Sequence, residues 1–305
     1  MSVSAAPENR THDSLDRTAA ATLVLLCACW GLNQVAIKLA MPGIAPVLQA
    51  GLRSAGAVLL LVLWCRWRRI PLTGHDGTLG WGIAAGLLFA LEFLLIYWGL
   101  TYTTASRGVV FLYTSPFVVA IGAHLFLPGD RITRPKLLGL LAAFAGLSLA
   151  FADSLRLPSR TELLGDVMCF GGAIAWGATT VLIKGSPMAR SSAEKTLFYQ
   201  LGISAIVLPP AALLFGEPLR IDASGMVLLA LAYQIVIVAF ASYATWFWLV
   251  ARYPASRLSA FSFLTPVFGV AFGALLLDDP LSPLLLLAVA LICAGIWLVN
   301  RPARG

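Results

Sequence analysis

Charge is what this chain of 305 residues has least of: 21 Lys and Arg and 14 Asp and Glu make up only 11% of it, against about a quarter in a soluble domain. With 59% of residues in the AVILMFWYC set and a mean hydropathy of +0.87, that scarcity excludes a soluble enzyme, a secreted disulfide scaffold, a nucleic-acid binder and a disordered chain. Histidine is also sparse. His12, His75 and His124 are dispersed, and there is no HExxH, GxSxG or Walker A pattern, so the residues for metal-assisted hydrolysis, acyl transfer or ATP-driven work are missing. Ser192-Ala193-Glu194-Lys195 matches SxxK but has no companion motif. The five cysteines, Cys27, Cys29, Cys65, Cys169 and Cys293, lack metal-ligand spacing and read as small packing residues in or beside apolar runs. Neither catalysis, a cofactor, a metal nor an obligate protein partner is expected.

Long apolar sequence is abundant instead. A helix of about 20 residues crosses a bilayer core about 30 Å thick. Breaks at Pro, Gly and charge clusters leave ten such runs: 18–40, 45–64, 78–100, 104–127, 135–152, 163–184, 192–215, 225–251, 255–277 and 281–299. No ten-residue segments alternate with a period of two, which argues against a barrel. The polar segment 1–17 lacks the apolar centre and cleavage site of a signal peptide, so it is expected as a tail, with 300–305 as a second one. Placing the N-terminus inside puts fifteen basic residues, from Arg10 and Arg17 to Arg301 and Arg304, on inner segments and only Arg156, Arg160 and Arg220 on outer loops. That bias predicts cytoplasmic termini in an inner membrane.

The two halves repeat each other. Trp30-Gly31 and Lys38 recur 146 positions later as Trp176-Gly177 and Lys184. Ala105-Ser106-Arg107, Phe111 and Pro116 recur 150 positions later as Ala255-Ser256-Arg257, Phe261 and Pro266, and Tyr97-Trp98 recurs as Phe247-Trp248. The units are 18–152 and 163–299, joined by 153–162. Each holds five runs, an odd number, so the second enters the membrane inverted. The expected fold is an all-α membrane protein of ten transmembrane helices, two inverted five-helix repeats around a central cavity.

Several residues stand out at membrane depth. Trp30, Asn33, Gln34 and Lys38 share one helix face, and so do Trp176, Thr179, Thr180 and Lys184. Two readings stand: polar glue between helices, or the lining of a cavity. Lys38 and Lys184 fall at opposite mouths, as gates or as side chains snorkelling to headgroups. Glu92 lies within Phe89-Ala90-Leu91-Glu92-Phe93-Leu94, where a charge costs at least about 2.5–3.5 kcal/mol on insertion scales. It calls for water, protonation or a partner such as Arg53, and is either a binding group or half of a structural pair. Pro116 and Pro266 break a backbone bond in mid-span, as static bends or as hinges, with Thr114, Ser115 and Thr265 at hand for the freed carbonyls. Gly82 with Gly86, and Gly269 with Gly273, have GxxxG spacing for close packing, expected within the monomer.

Two five-helix repeats, the Trp-Gly…Lys pattern opening each and the Ala-Ser-Arg…Pro segment in the fourth helix of each resemble the EamA-type members of the drug/metabolite transporter superfamily, over residues 18–299. Within it the chain is most similar to the bacterial aromatic amino acid exporters. The resemblance implies a ten-helix basket whose cavity is lined by the first, third, fourth, sixth, eighth and ninth helices. The expected function is secondary transport without ATP: export of small amphipathic metabolites, foremost aromatic amino acids, by alternating access. A broad exporter of lipophilic organic cations is the alternative. A non-transporting scaffold or sensor is a more distant one, which would need neither inverted symmetry nor polar stripes. The expected partners are a small-molecule substrate and the lipid bilayer.

Overall fold

A computed structural model describes residues 15–74, 76–152, 157–222, 224–277 and 283–301. Residues 1–14 of the expected tail, His75, residues 153–156 of the connecting loop, the Asp278-Asp279-Pro280 turn, the first two residues of the tenth run and 302–305 lie outside the described residues.

All ten apolar runs are helical: α1 (Arg17–Ala40), α2 (Pro46–Arg68), α3 (Leu79–Gly99), α4 (Ala105–Phe126), α5 (Arg134–Ala150), α6 (Arg160–Gly185), α7 (Ala193–Leu214), α8 (Gly225–Arg252), α9 (Ala255–Leu277) and α10 (Leu285–Asn300). Short polar residues start several of them by accepting a free N–H of the first turn. Asp16 takes the amide of Ala19 at 2.7 Å and Ser192 that of Lys195 at 3.1 Å, while Ser159 and Glu162 form a reciprocal capping box. Eight helices are long and apolar enough to cross a membrane. The other two, α5 with 17 residues and α10 with 16, lie at and just below the short end of the usual range for spanning a bilayer, about 17–25 residues.

Glycine sets how these helices meet. A Cβ on Gly139 of α5 would lie 2.5 Å from the Gly295 carbonyl oxygen of α10, and one on Gly295 would strike the Gly139 carbonyl in turn. Only backbone against backbone fits there. The glycine of each Trp-Gly pair has a similar task. A Cβ on Gly31 would strike Phe268 of α9, and one on Gly177 would strike Val118 of α4. Gly82 and Gly86 admit Tyr199 and Ile203 of α7, and Gly269 faces Gln34 and Gly31 of α1, so the GxxxG residues described here pack within the chain.

Helix contacts come in matched sets. α1 packs on α9 as α6 packs on α4; α3 meets α6 as α8 meets α1; α3 meets α7 as α8 meets α2. The remaining large contacts pair equivalents, α2 with α7 and α5 with α10. In the first of these Ser54 donates to Ser204, 150 positions away, at 3.1 Å.

Two helices break and one widens. α4 divides into Ala105–Leu112 and Ser115–Phe126, and α9 into Ala255–Phe261 and Leu264–Leu277. A proline ring clashes with the carbonyl four residues before it, and those positions are Leu112 and Ser262, where each break lies. Hydroxyls near each break bond other carbonyls of the turn: Thr114 donates to the Phe111 carbonyl and Ser262 to that of Ser259, both at 2.6 Å. The prolines therefore sit inside the second half-helix, not at a bend of a continuous rod. In α8, residues Gln234–Ser242 form a π-helix, a widening that left no mark in the sequence pattern.

Candidate functional site

The stripes on α1 and α6 face the same space. A cavity of about 220 Å³ lies between the repeats, and its wall includes Trp30, Asn33, Gln34, Glu92, Trp176, Thr179 and Thr180, all seven residues singled out for substrate contact. The six helices implied by the family resemblance all contribute. So do two that were not expected, α2 and α7, each through one polar side chain: Arg53 and Gln200. The sequence held a signal for both: Arg53 shares a face with Gln49, and Gln200 with Thr196 and Ser204, each four residues away. Trp246, Tyr243, Tyr113 and Thr265 also belong to the wall and were missed; Tyr243 and Trp246 are three residues apart on one face, a signal available in the sequence.

Nine of the residues on the wall are aromatic. Trp30 meets Trp246 and Tyr243 edge-on at 5.5 and 6.3 Å, and its Nε1 donates to Ser242 at 2.8 Å. Trp176 meets Tyr113 edge-on at 5.8 Å. Thr179 and Thr180 donate to the carbonyls of Ala175 and Trp176 in their own helix, an arrangement that leaves hydroxyl lone pairs to accept from outside.

Against this apolar wall stand polar atoms without partners. Among the described residues these include Asn33 Oδ1, Glu92 Oε2, Arg53 Nε and Nη2, both amide atoms of Gln200 and Thr265 Oγ1. Arg53 is 1% exposed and Glu92 8%. Buried polar groups are nearly always paired; these seven exceptions share one cavity, while others among the described residues, such as the amide atoms of Gln49 and Gln234, lie away from it.

The gate candidates are placed differently. Lys184 donates to the carbonyls of Val250 and Tyr253 at the end of α8 and lines a second cavity of about 550 Å³. Lys38 is exposed on the last turn of α1 and is not part of the central wall. Phe247 borders both cavities. The Tyr253 end of the bundle is tied by polar contacts: Tyr253 donates to Asp16 at 2.8 Å, and Asp130 accepts the hydroxyl and amide of Ser256 and the Lys136 ammonium. Burial pushes the Asp130 carboxyl up, but Lys136 and the two Ser256 donors outweigh it and hold the group below the usual carboxylate value. At the opposite end Arg107 pairs bidentately with Asp166, which also accepts from Thr103 at 2.7 Å. There Glu217 accepts the amides of Val47 and Leu48 at the start of α2.

An aromatic cavity carrying a few polar side chains, enclosed by apolar helices, suits a membrane carrier, and comparison with known proteins agrees. The model of the EamA-like transporter family matches the chain twice, over residues 17–152 and 163–301. The chain belongs to that family and to the drug/metabolite transporter superfamily; it is a multi-pass membrane transporter. It is 27% identical over 286 residues to the probable amino-acid metabolite efflux pump of Escherichia coli, covering 90% of this chain and 92% of that one. It is likewise 27% identical over 301 residues to the Salmonella typhimurium protein of the same name, covering 92% and 96%. A solved crystal structure superposes with a TM-score of 0.79 over 95% of this chain and 99% of the other, at 19% identity, which shows a shared fold.

Proposed function

We propose that this transporter exports aromatic amino acids from the cytoplasm across the inner membrane by alternating access. The observation that carries the reading is the central cavity, where equivalent aromatic and polar stripes of the two repeats converge on unpaired polar atoms. Ring faces and edges suit a planar aromatic guest, and the two efflux pumps named above lend support for amino-acid cargo.

All ten helices cross in this reading, α5 and α10 included, with both termini in the cytoplasm. The matched contact sets, the Ser54–Ser204 bond and the double family match support two repeats related by a pseudo-two-fold axis. Five crossings per repeat place that axis in the membrane plane. Phe247 then separates the central cavity from the inner one, and its equivalent Tyr97, also in the central wall, takes that position when the repeats exchange shapes. Lys184 ties the inner mouth, and Lys38 is its outer equivalent. The breaks ahead of Pro116 and Pro266 are the hinges about which the half-helices turn.

Proteoliposomes offered tryptophan, a non-aromatic amino acid and a quaternary ammonium ion test this directly. Tryptophan should move fastest, and Pro116→Ala and Pro266→Ala should slow it several-fold while leaving its binding intact. Preference for the quaternary ion would replace this reading with cation export; full-speed proline variants would remove the hinges.

A further inference from the structure

The cavity holds an acid and a base that do not bond to each other. Glu92 enters from α3 and Arg53 from α2. Glu92 Oε2 and Arg53 Nε and Nη2 have no hydrogen-bond partner. The guanidinium, which stays protonated in proteins, is backed by the Phe93 ring 4.3 Å from its centre and by the Tyr243 ring at 5.9 Å. These rings steady it through their faces and leave N–H groups unused. We propose that Arg53 binds the carboxylate of the substrate and Glu92 its ammonium group, so that the cavity recognises the zwitterionic head of an amino acid. The assignment rests on the transport reading above.

The chemistry discriminates among guests. Burying an unpaired charge is costly, and removing the partner of a buried ion leaves the survivor uncompensated. A zwitterion completes both groups at once, with the guanidinium fork matched to a carboxylate. A lipophilic cation would complete Glu92 only and meet Arg53 as a like charge; an anion without an amine would do the converse. Gln200 and Asn33, buried with unpartnered amide atoms at the same cavity, supply further donors and acceptors for the head group. If Arg53 served only to offset the charge of Glu92 during folding, ligands with and without a carboxylate would suffer alike from its loss.

Displacement of labelled tryptophan from the purified full-length protein separates the cases. The probes are tryptophan, tryptamine, which lacks the carboxylate, and indole-3-propionate, which lacks the amine. The wild type should prefer tryptophan to either by about tenfold or more. Arg53→Gln should weaken tryptophan about ten- to a hundredfold, the range for a lost charged hydrogen bond, and leave tryptamine unchanged or tighter; Arg53→Lys should recover part of the loss. Glu92→Gln should shift preference toward indole-3-propionate. An altered preference also certifies that a variant is folded, and the wild-type series decides if none is. Equal wild-type affinity for tryptophan and tryptamine, or a uniform effect of Arg53→Gln on all three, overturns the assignment while leaving amino-acid transport standing. A wild type that binds no amino acid overturns the transport reading itself.

Discussion

On α8, Ser242 accepts the Trp30 indole N–H and donates its own hydroxyl to the Val238 carbonyl. On α3, 150 positions earlier, the equivalent residue is Glu92, with an oxygen left unpaired. The surroundings differ as well: Ser242 closes a π-helical segment, while α3 is regular α-helix throughout. At this position the second repeat presents a hydroxyl whose donor and acceptor roles are both used. The other keeps a carboxylate that the fold does not satisfy. The two family matches thus differ at one equivalent position in whether a buried polar group is satisfied. Natural proteins concentrate such unsatisfied groups where function needs them.

Swapping out the two residues tests that contrast most strongly. Glu92→Gln removes a charge that is costly at membrane depth but also the opposite charge that shares the cavity with buried Arg53, so the two effects oppose and the variant should stay close to the wild type in stability. Its tryptophan transport should nevertheless fall about tenfold or more, since a charged hydrogen bond is worth about 1.5–3 kcal/mol. Ser242→Ala should do the opposite, lowering the melting temperature of the detergent-solubilised protein and changing transport little. Equal effects of the two variants on transport would show that the halves are not functionally distinct.

A smaller effect is expected where helices cross. A Cβ on Gly31 would lie 2.7 Å from the Gly269 amide nitrogen and 2.9 Å from the Phe268 carbonyl carbon, whereas on Gly177 the clashes under 3 Å are with the Val118 side chain alone. Val118 can turn its Cγ1 away but not its Cβ, 2.7 Å off, so both crossings resist a Cβ, and the one that also meets backbone atoms resists it more. Gly31→Ala should therefore destabilise by about 1–3 kcal/mol, the usual range for overpacking, and Gly177→Ala by less. Thermal unfolding of both variants measures the difference, and equal melting temperatures would show that α9 yields as easily as α4.

How much of this was legible follows from which signals survive in one dimension. Helix periodicity places Trp30 with Asn33 and Gln34, and Trp176 with Thr179 and Thr180, because residues three and four apart share a face; the cavity does collect both sets. The same rule sets Arg53 with Gln49, and Gln200 with Thr196 and Ser204, but these helices repeat no aromatic-polar stripe, so nothing in one dimension aims their faces at the cavity. Proline signals a disturbed helix but not its form: the chain divides at Tyr113-Thr114 and Ser262-Phe263 because the clash falls four residues upstream. The π segment of α8 is apolar like its neighbours, so composition does not record it. Lys184 read as a charge at a mouth; that its ammonium closes the carbonyls of α8 depends on a helix 66 residues away and is a tertiary fact.

The two ends of the bundle differ in how they should respond to acid. At the Tyr253 end Asp130 joins α9 to the loop before α5 through Ser256 and Lys136, and its carboxyl is held below its ordinary value near 3.8. A group whose pKa is depressed by folding contributes stability above its unfolded pKa and loses it as pH falls through the folded one. The contribution of Asp130 is therefore full at neutral pH and is lost progressively below about pH 4. Asp130→Asn keeps an acceptor but loses the ion pair, and should destabilise at pH 7 by about 1 kcal/mol, near the upper limit for an exposed pair and below that for a buried one. Melting curves of the two proteins should converge as the buffer is acidified through that window. A gap that persists undiminished at the acid end would show that the Asp130→Asn variant departs from the wild type by packing rather than by charge, and that this end is not held electrostatically.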